Sequence, residues 1–433
     1  MGRGKRLFFT AITGLGVWFV CEAGAFFLYW LVRAKPFSWE QFQNQRIALL
    51  NDVEGPKRNV VSEVHPYVGF VEKPRAESSV RRLRDGRAVP VSRFGYIDDK
   101  EPIFARRPDR VIIAILGGSV ACHFAINGSH RLDQELSASP EFNGKELVFV
   151  NLALGGYKQP QQLMTLGYLL SLGAEFDLAL NIDGFNEVAL YELENSSRHI
   201  FPAFPRSWQV RISSADPDVL VTTAGLLANE EQRNDLASWY CRAPLRYSVL
   251  CNLAWEVKDR QLGRAADGII TNYYRSQGGR HPYFITGPPA EFAGRAKLYE
   301  HLTSIWANSS TLLNGLCRSK GIRYYHFLQP NQYVAGSKPM GDDEKRVAIA
   351  ADHPYRRAVE TGYPLLIKKG RDLAREGVPF FDLTQVFAGH SEALYNDDCC
   401  HFNQAGIDLT AQAIAHAILT KNTAAIDTSR SNQ

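Results

Sequence analysis

Residues 110–120 read RVIIAILGGSV, a β-branched apolar run that stops at Gly117-Gly118 and a serine, Ser119. The run does not alternate polar with apolar, is too short for a helix, and is closed by turn residues. That is the pattern of a strand buried on both faces. Four later segments repeat it. ELVFVNLAL (146–154) ends at Gly155-Gly156, and FDLALNI (176–182) ends at Asp183-Gly184-Phe185-Asn186. IRYYHFLQP (322–330) and VPFFDLT (378–384) complete the set. Helix-like stretches lie between and after them, at 161–173, about 293–319, 353–377 and 405–421. Short strands alternating with helices predict an α/β fold, a three-layer α/β/α sandwich on a five-stranded parallel sheet. In such sheets a functional site lies outside the carboxyl ends of the strands.

Upstream of that core, residues 7–32 read LFFTAITGLGVWFVCEAGAFFLYWLV, with the single charge Glu22. About 20 apolar residues are enough to cross a hydrocarbon core. Phe8, Phe9, Tyr29 and Trp30 stand near the ends of the run, where aromatic anchors are expected. It is too long for a signal-peptide core and lacks a convincing small-x-small cleavage site, so it reads as an uncleaved transmembrane helix. Arg3, Lys5, Arg6 and the free amine precede it, and Arg33 and Lys35 follow. The positive-inside rule then leans to a cytoplasmic N-terminus and a domain on the periplasmic side of the inner membrane. Glu22 is open between a functional or partner-binding carboxylate and one that is protonated or turned to another helix.

The chain divides on this reading into a basic N-terminus (1–6), the anchor (7–32), a lead-in rich in Pro, Arg, Gly and Asp (33–107), the α/β domain (108–421) and a flexible tail (422–433). A turn-rich segment at about 187–290 interrupts the strand–helix rhythm and reads as an insertion over one side of the site, where substrate is selected. Hydrophobic residues at 45% and charged residues at 22% suit a globular core. The net charge of +4, with basic and acidic residues interleaved, argues against nucleic acid as a partner. The one dense basic stretch, Arg81–Arg87, reads as a solvated loop. The seven cysteines form neither a metal-type C-x-x-C pair nor a disulfide framework. Cys241 and Cys251 are open between a pair in an oxidising compartment and free thiols.

Ser119, behind two glycines at a strand end, puts a hydroxyl at a sharp turn among backbone N–H groups. That is the setting of an activated nucleophile, or of a plain helix N-cap. Asp398 and His401, just before the last helix, stand three residues apart, so that a carboxylate can orient an imidazole. Gly156 offers a backbone N–H with no side chain in the way, and Asn186 a side-chain amide. Both suit an oxyanion hole, and both also suit turns. Each signal is weak by itself, and their order is the stronger sign. A Ser follows the first strand, a Gly the second and an Asn the third, and Asp-x-x-His precedes the last helix. His123, close to Ser119, is open between a substrate contact and a packed or surface histidine.

This ordered constellation resembles the SGNH, or GDSL-like, hydrolase superfamily. The blocks read GGSVACH (117–123), NLALGGYKQP (151–160), DGFNEV (183–188) and DDCCHFNQAG (397–406), and the resemblance spans roughly 108–420. It implies the flavodoxin-like fold of that superfamily, with Ser119 as nucleophile and His401 as general base, then acid. It also implies Asp398 as the carboxylate that orients His401, and Ser119 N–H, Gly156 N–H and Asn186 as the oxyanion hole. Gly-Gly-Ser-Val stands where many members have Gly-Asp-Ser-Leu, and Glu187 where many have Asp. Neither departure removes a catalytic atom. FPAFPRSW (201–208) and FLQPNQYVAGSKP (327–339) are similar to segments of membrane-anchored envelope members, including those linked to exopolysaccharide acetylation. The resemblance implies a serine esterase that cleaves an acylated envelope glycan or lipid through an acyl-enzyme, with no metal and no organic cofactor. An O-acyltransferase using the same triad and a non-catalytic envelope scaffold stand as alternatives.

Overall fold

The computed structural model describes residues 3–52, 62–74, 80–82, 88–212, 217–276, 283–350 and 353–430. The chain separates into two compact units, one of Ser62–Trp208 with Pro282–Gln433 and one of Met1–Val61 with Gln209–His281.

The larger unit is built on five parallel strands: β1 (Arg110–Gly117), β2 (Glu146–Asn151), β3 (Leu178–Asp183), β4 (Arg323–Leu328) and β5 (Phe380–Asp382). Their order across the sheet is β2-β1-β3-β4-β5. Ile113 of β1 stands opposite Phe149 of β2, and Ile115 opposite Leu180 of β3, so β1 is paired along both edges. Ile112 to Leu116 have no exposed surface at all. Successive strand residues point to opposite faces, so an unbroken buried run requires cover on both. Helices α1 (Ser119–Asn127) and α2 (Ser129–Ser137) pack with the last helix, α7 (Gln404–Arg430). Helices α3 (Gln161–Ser171), α4 (Phe185–Leu190), α5 (Arg295–Ser319) and α6 (Pro354–Arg375) form a second packed set. Each fully buried Leu, Ile or Phe of these layers contributes ~1.5–3 kcal/mol relative to exposure, which makes the sheet the centre of stability.

All five expected strands are present, and each ends close to where turn residues were expected to close it. Two short antiparallel hairpins, Ser62–His65 with Gly69–Glu72 and Val80–Arg82 with Ala88–Pro90, form the β-rich part of the lead-in. Most of the basic stretch Arg81–Arg87 lies outside the described residues. Helix α7 continues to Arg430, where the sequence led us to expect a tail from 422, and 431–433 lie outside the described residues.

The smaller unit is helical. It contains the apolar N-terminal helix expected to be the anchor (Arg3–Arg33), a second helix (Trp39–Asp52) and a helical hairpin, Pro217–Tyr240 and Val249–Ser276. Phe8–Arg33 is long and apolar enough to span a membrane, with mean hydropathy 1.7. Ala25, Tyr29, Phe37, Phe42, Val249 and Trp255 form its core, and the Phe37 and Phe42 rings stack at 4.9 Å. Glu22 is turned to another helix: its carboxylate accepts the Val249 N–H at 2.6 Å and the Ser248 hydroxyl. Arg33 pairs with Glu256 at 2.7 Å. Cys241 and Cys251 are free thiols. The expected insertion therefore divides. Residues 187–208 stay with the sheet, whereas Gln209–His281 belong with the anchor.

Candidate active site

The sheet order is that of a doubly wound α/β fold whose crevice opens between β1 and β3, where connections leave in opposite directions. Ser119, Gly156 and Asn186 all lie in the segments that follow β1, β2 and β3 at this point. Gly117 takes φ +142, and a Cβ there would lie 2.1 Å from the Ile182 carbonyl oxygen, so only glycine lets the chain turn. A Cβ on Gly118 would lie 2.2 Å from Asn186 Nδ2 and 3.2 Å from the Tyr157 carbonyl oxygen. Three strand-end loops therefore converge on one glycine.

Ser119 opens helix α1 and is half-buried. Its Oγ lies 2.8 Å from His401 Nε2, and His401 Nδ1 lies 2.6 Å from a carboxylate oxygen of Asp397. A carboxylate only accepts, so Nδ1 carries the imidazole proton and Nε2 presents its lone pair to the serine hydroxyl. The structure thus corrects the expected acid: the residue on His401 is Asp397, not Asp398. The loop before α7 is not a helical turn, so three-residue spacing has no privilege there. Instead Asp397 Oδ1 accepts the backbone N–H groups of Cys399, Cys400 and His401, each at 3.1 Å, and wraps the loop until the ring meets Oδ2. Burial would raise the Asp397 carboxyl, but the His401 hydrogen bond and charge and these N–H groups hold it well below the usual carboxylate range.

Three consecutive side chains after β4 clamp the same loop. Asn331 Nδ2 donates to the Cys399 carbonyl at 3.0 Å, Gln332 Nε2 to the Asp397 carbonyl at 3.0 Å, and the Tyr333 hydroxyl to the Asp398 carbonyl at 2.7 Å. Sequence reasoning missed these positioning residues, because their partners are about 65 residues downstream. The His123 ring packs 4.9 Å from the His401 ring, on the helix that Ser119 opens.

The expected oxyanion donors sit close by. Asn186 gives one amide hydrogen to the Tyr157 carbonyl at 2.8 Å, and its second has no acceptor among the described residues. Gly156 takes φ +83 in a turn closed by Tyr157 N–H to the Leu154 carbonyl, and its own N–H has no acceptor among the described residues. A Cβ on Gly156 would meet Arg206 Cδ at 1.9 Å, so the Arg206 side chain lies directly on this glycine. Glu194 holds Arg206 through a two-point ion pair.

Glu187 is structural. Its carboxyl accepts Gly184 N–H at 2.8 Å and Gln159 N–H at 3.0 Å, which ties the loop after β2 to that after β3. Burial, reinforced by the charge of Asp183, raises its pKa to about 8. Lys158, also buried, donates its ammonium to the Pro202 carbonyl, and burial brings it down to about 8.

A second Ser-His-Asp chain lies inside the unit: Ser310 Oγ is 2.7 Å from His326 Nδ1, and His326 Nε2 is 2.8 Å from Asp183. The His326 and Asp183 side chains are 0% and 1% exposed, so no substrate reaches them and the set is a packed polar network. Ligand atoms of Cys399, Cys400 and His401 come within 4.8 Å of one another, a set able to hold a soft metal ion. Such an ion would take the same Nε2 that faces Ser119, so metal binding and the Ser119–His401 bond exclude each other.

Comparison with models of protein families and with curated proteins found no match.

Proposed function

We propose that the protein is a serine esterase of the SGNH hydrolase type, tethered by its apolar N-terminal helix and facing the exported side of the membrane. One observation carries the reading: the unbroken Ser119–His401–Asp397 hydrogen-bond chain at the carboxyl ends of the strands. In this mechanism Ser119 Oγ attacks an ester carbonyl and its proton passes to His401 Nε2. Asp397 stabilises the imidazolium and keeps the ring oriented. The oxyanion takes hydrogen bonds from Ser119 N–H, Gly156 N–H and the free hydrogen of Asn186, each such donor being worth roughly 10²–10³ in kcat. His401 then protonates the leaving alcohol, and water activated by the same histidine releases the acid. The anchor and the charge asymmetry around it favour an envelope substrate, an acylated glycan or lipid.

The test is fluorophosphonate labelling and p-nitrophenyl acetate turnover by the full chain in detergent, wild type beside Ser119→Ala. Both signals are expected in the wild type and neither in the variant. Labelling that persists in Ser119→Ala would place the nucleophile elsewhere. A wild type inert to both reagents and to acetylated glycans would leave the scaffold reading in its place.

A further inference from the structure

The charge inside the anchor marks the depth of another part of the molecule. At 1.5 Å per residue, about 20 residues cross a hydrocarbon layer of about 30 Å. A span entering near Phe8 leaves that layer around residues 27–28, so Glu22 lies within it. Glu22 is bonded to Ser248 and Val249, which begin the second helix of the hairpin. The turn from Tyr240 to Val249 is held at that level.

Its chemistry fits the position. Between Leu236 and Trp255 the sequence has no Asp or Glu, and it carries Arg242 and Arg246. Trp239, Tyr247 and Leu250 are 49%, 60% and 36% exposed. Trp and Tyr favour the headgroup level, and arginines reach out of the apolar layer to phosphate. The Arg246 guanidinium lies over the Tyr247 ring at 4.6 Å, and Trp39 Nε1 donates to the Tyr247 carbonyl at 2.9 Å. A helix start is costly in lipid because its first N–H groups lack partners. Here three of the first four are met inside the protein: Ser248 N–H goes to the Leu245 carbonyl at 3.1 Å, Val249 N–H to Glu22 at 2.6 Å, and Cys251 N–H to Ser248 Oγ at 3.1 Å.

We propose that the Trp239–Leu250 turn dips into the outer leaflet beside the anchor, with Arg242 and Arg246 on the phosphates of acidic phospholipids and Glu22 as the cap that holds it there. The proposal rests on the membrane-spanning reading of the anchor and is independent of the esterase reading.

The experiment uses the full chain in nanodiscs of neutral and acidic phospholipids, with a fluorescent amino acid replacing one residue at a time. Lipids carrying a nitroxide shallow or deep in the acyl chain serve as quenchers. A probe at Leu15 should be quenched by the deep label and one at Tyr247 by the shallow label. A probe at Gln261, on the same helix about 18 Å beyond Val249, should be quenched by neither. Glu22→Ala should abolish quenching at position 247 and leave it at position 15, whereas Glu22→Gln should retain most of it. Removing the acidic lipid, or Arg242→Ala with Arg246→Ala, should weaken quenching at 247. A probe at 247 that behaves like the one at 261, while 15 is quenched, overturns the proposal. Loss of quenching at 15 in the wild type overturns the span and the proposal with it.

Discussion

Two adjacent aspartates separate a spacing argument from a structural one. Asp397→Asn should lower kcat by about 10³–10⁴, because an amide cannot hold the tautomer that frees Nε2. Asp398→Asn should leave turnover near wild type, since the bond it contributes to the loop is made by its carbonyl. Equal losses in the two variants, measured as kcat on p-nitrophenyl acetate, would contradict the Asp397 assignment. Ser119, His401 and Asn186 were legible from sequence because each follows a recognisable strand end or precedes a helix. The choice between the two aspartates was not. It depends on Asp397 gathering three backbone N–H groups, a fold of the loop that no local pattern announces. The packed set of Ser310, His326 and Asp183 is the complementary lesson, since the right residue types in the right contacts are inert without access.

At the scale of elements, the loop before α7 depends on the segment after β4. Tyr333→Phe removes the hydroxyl that donates to the Asp398 carbonyl and accepts Ala350 N–H at 3.3 Å; loss of the loop bond, about 1 kcal/mol, should lower kcat up to about fivefold with KM little changed. A matching rise in KM would instead assign Tyr333 to substrate binding. Glu187 gives a pH signature. Its folded-state pKa lies above its ordinary 4.5, at about 8. The folded form therefore holds a proton that the unfolded form has lost between those values, and the stability Glu187 contributes falls as pH rises through that window. The melting-temperature deficit of Glu187→Gln should be greatest at the acid end and shrink towards the alkaline end. A deficit constant across the window would contradict the raised pKa. The five strands were readable because none alternates, which leaves burial on both faces as the explanation. The clamp by Asn331, Gln332 and Tyr333 was not, since it exists only once β4 and the last loop are neighbours.

For the molecule as a whole, the larger unit closes behind the excursion of residues 209–281. Trp208 Nε1 donates to the Phe284 carbonyl at 2.7 Å, and Phe201 N–H to the Thr286 carbonyl at 2.6 Å. A chain beginning at residue 62, with 209–281 replaced by a short Gly/Ser linker, should fold and still label at Ser119. Loss of labelling in a folded variant would show that the excised hairpin shapes the catalytic unit. Composition alone took the whole 187–290 stretch as one insertion, because the partner that claims its larger part lies 226 residues earlier, at Glu22. That bond has an evolutionary corollary. The N-terminal helix and the hairpin form one unit whose two segments are separated in the chain by part of the other, and they should be inherited together. A recombination event that exchanged the N-terminus alone would strand a helix start without its carboxylate, so lineages should swap the two segments together or not at all.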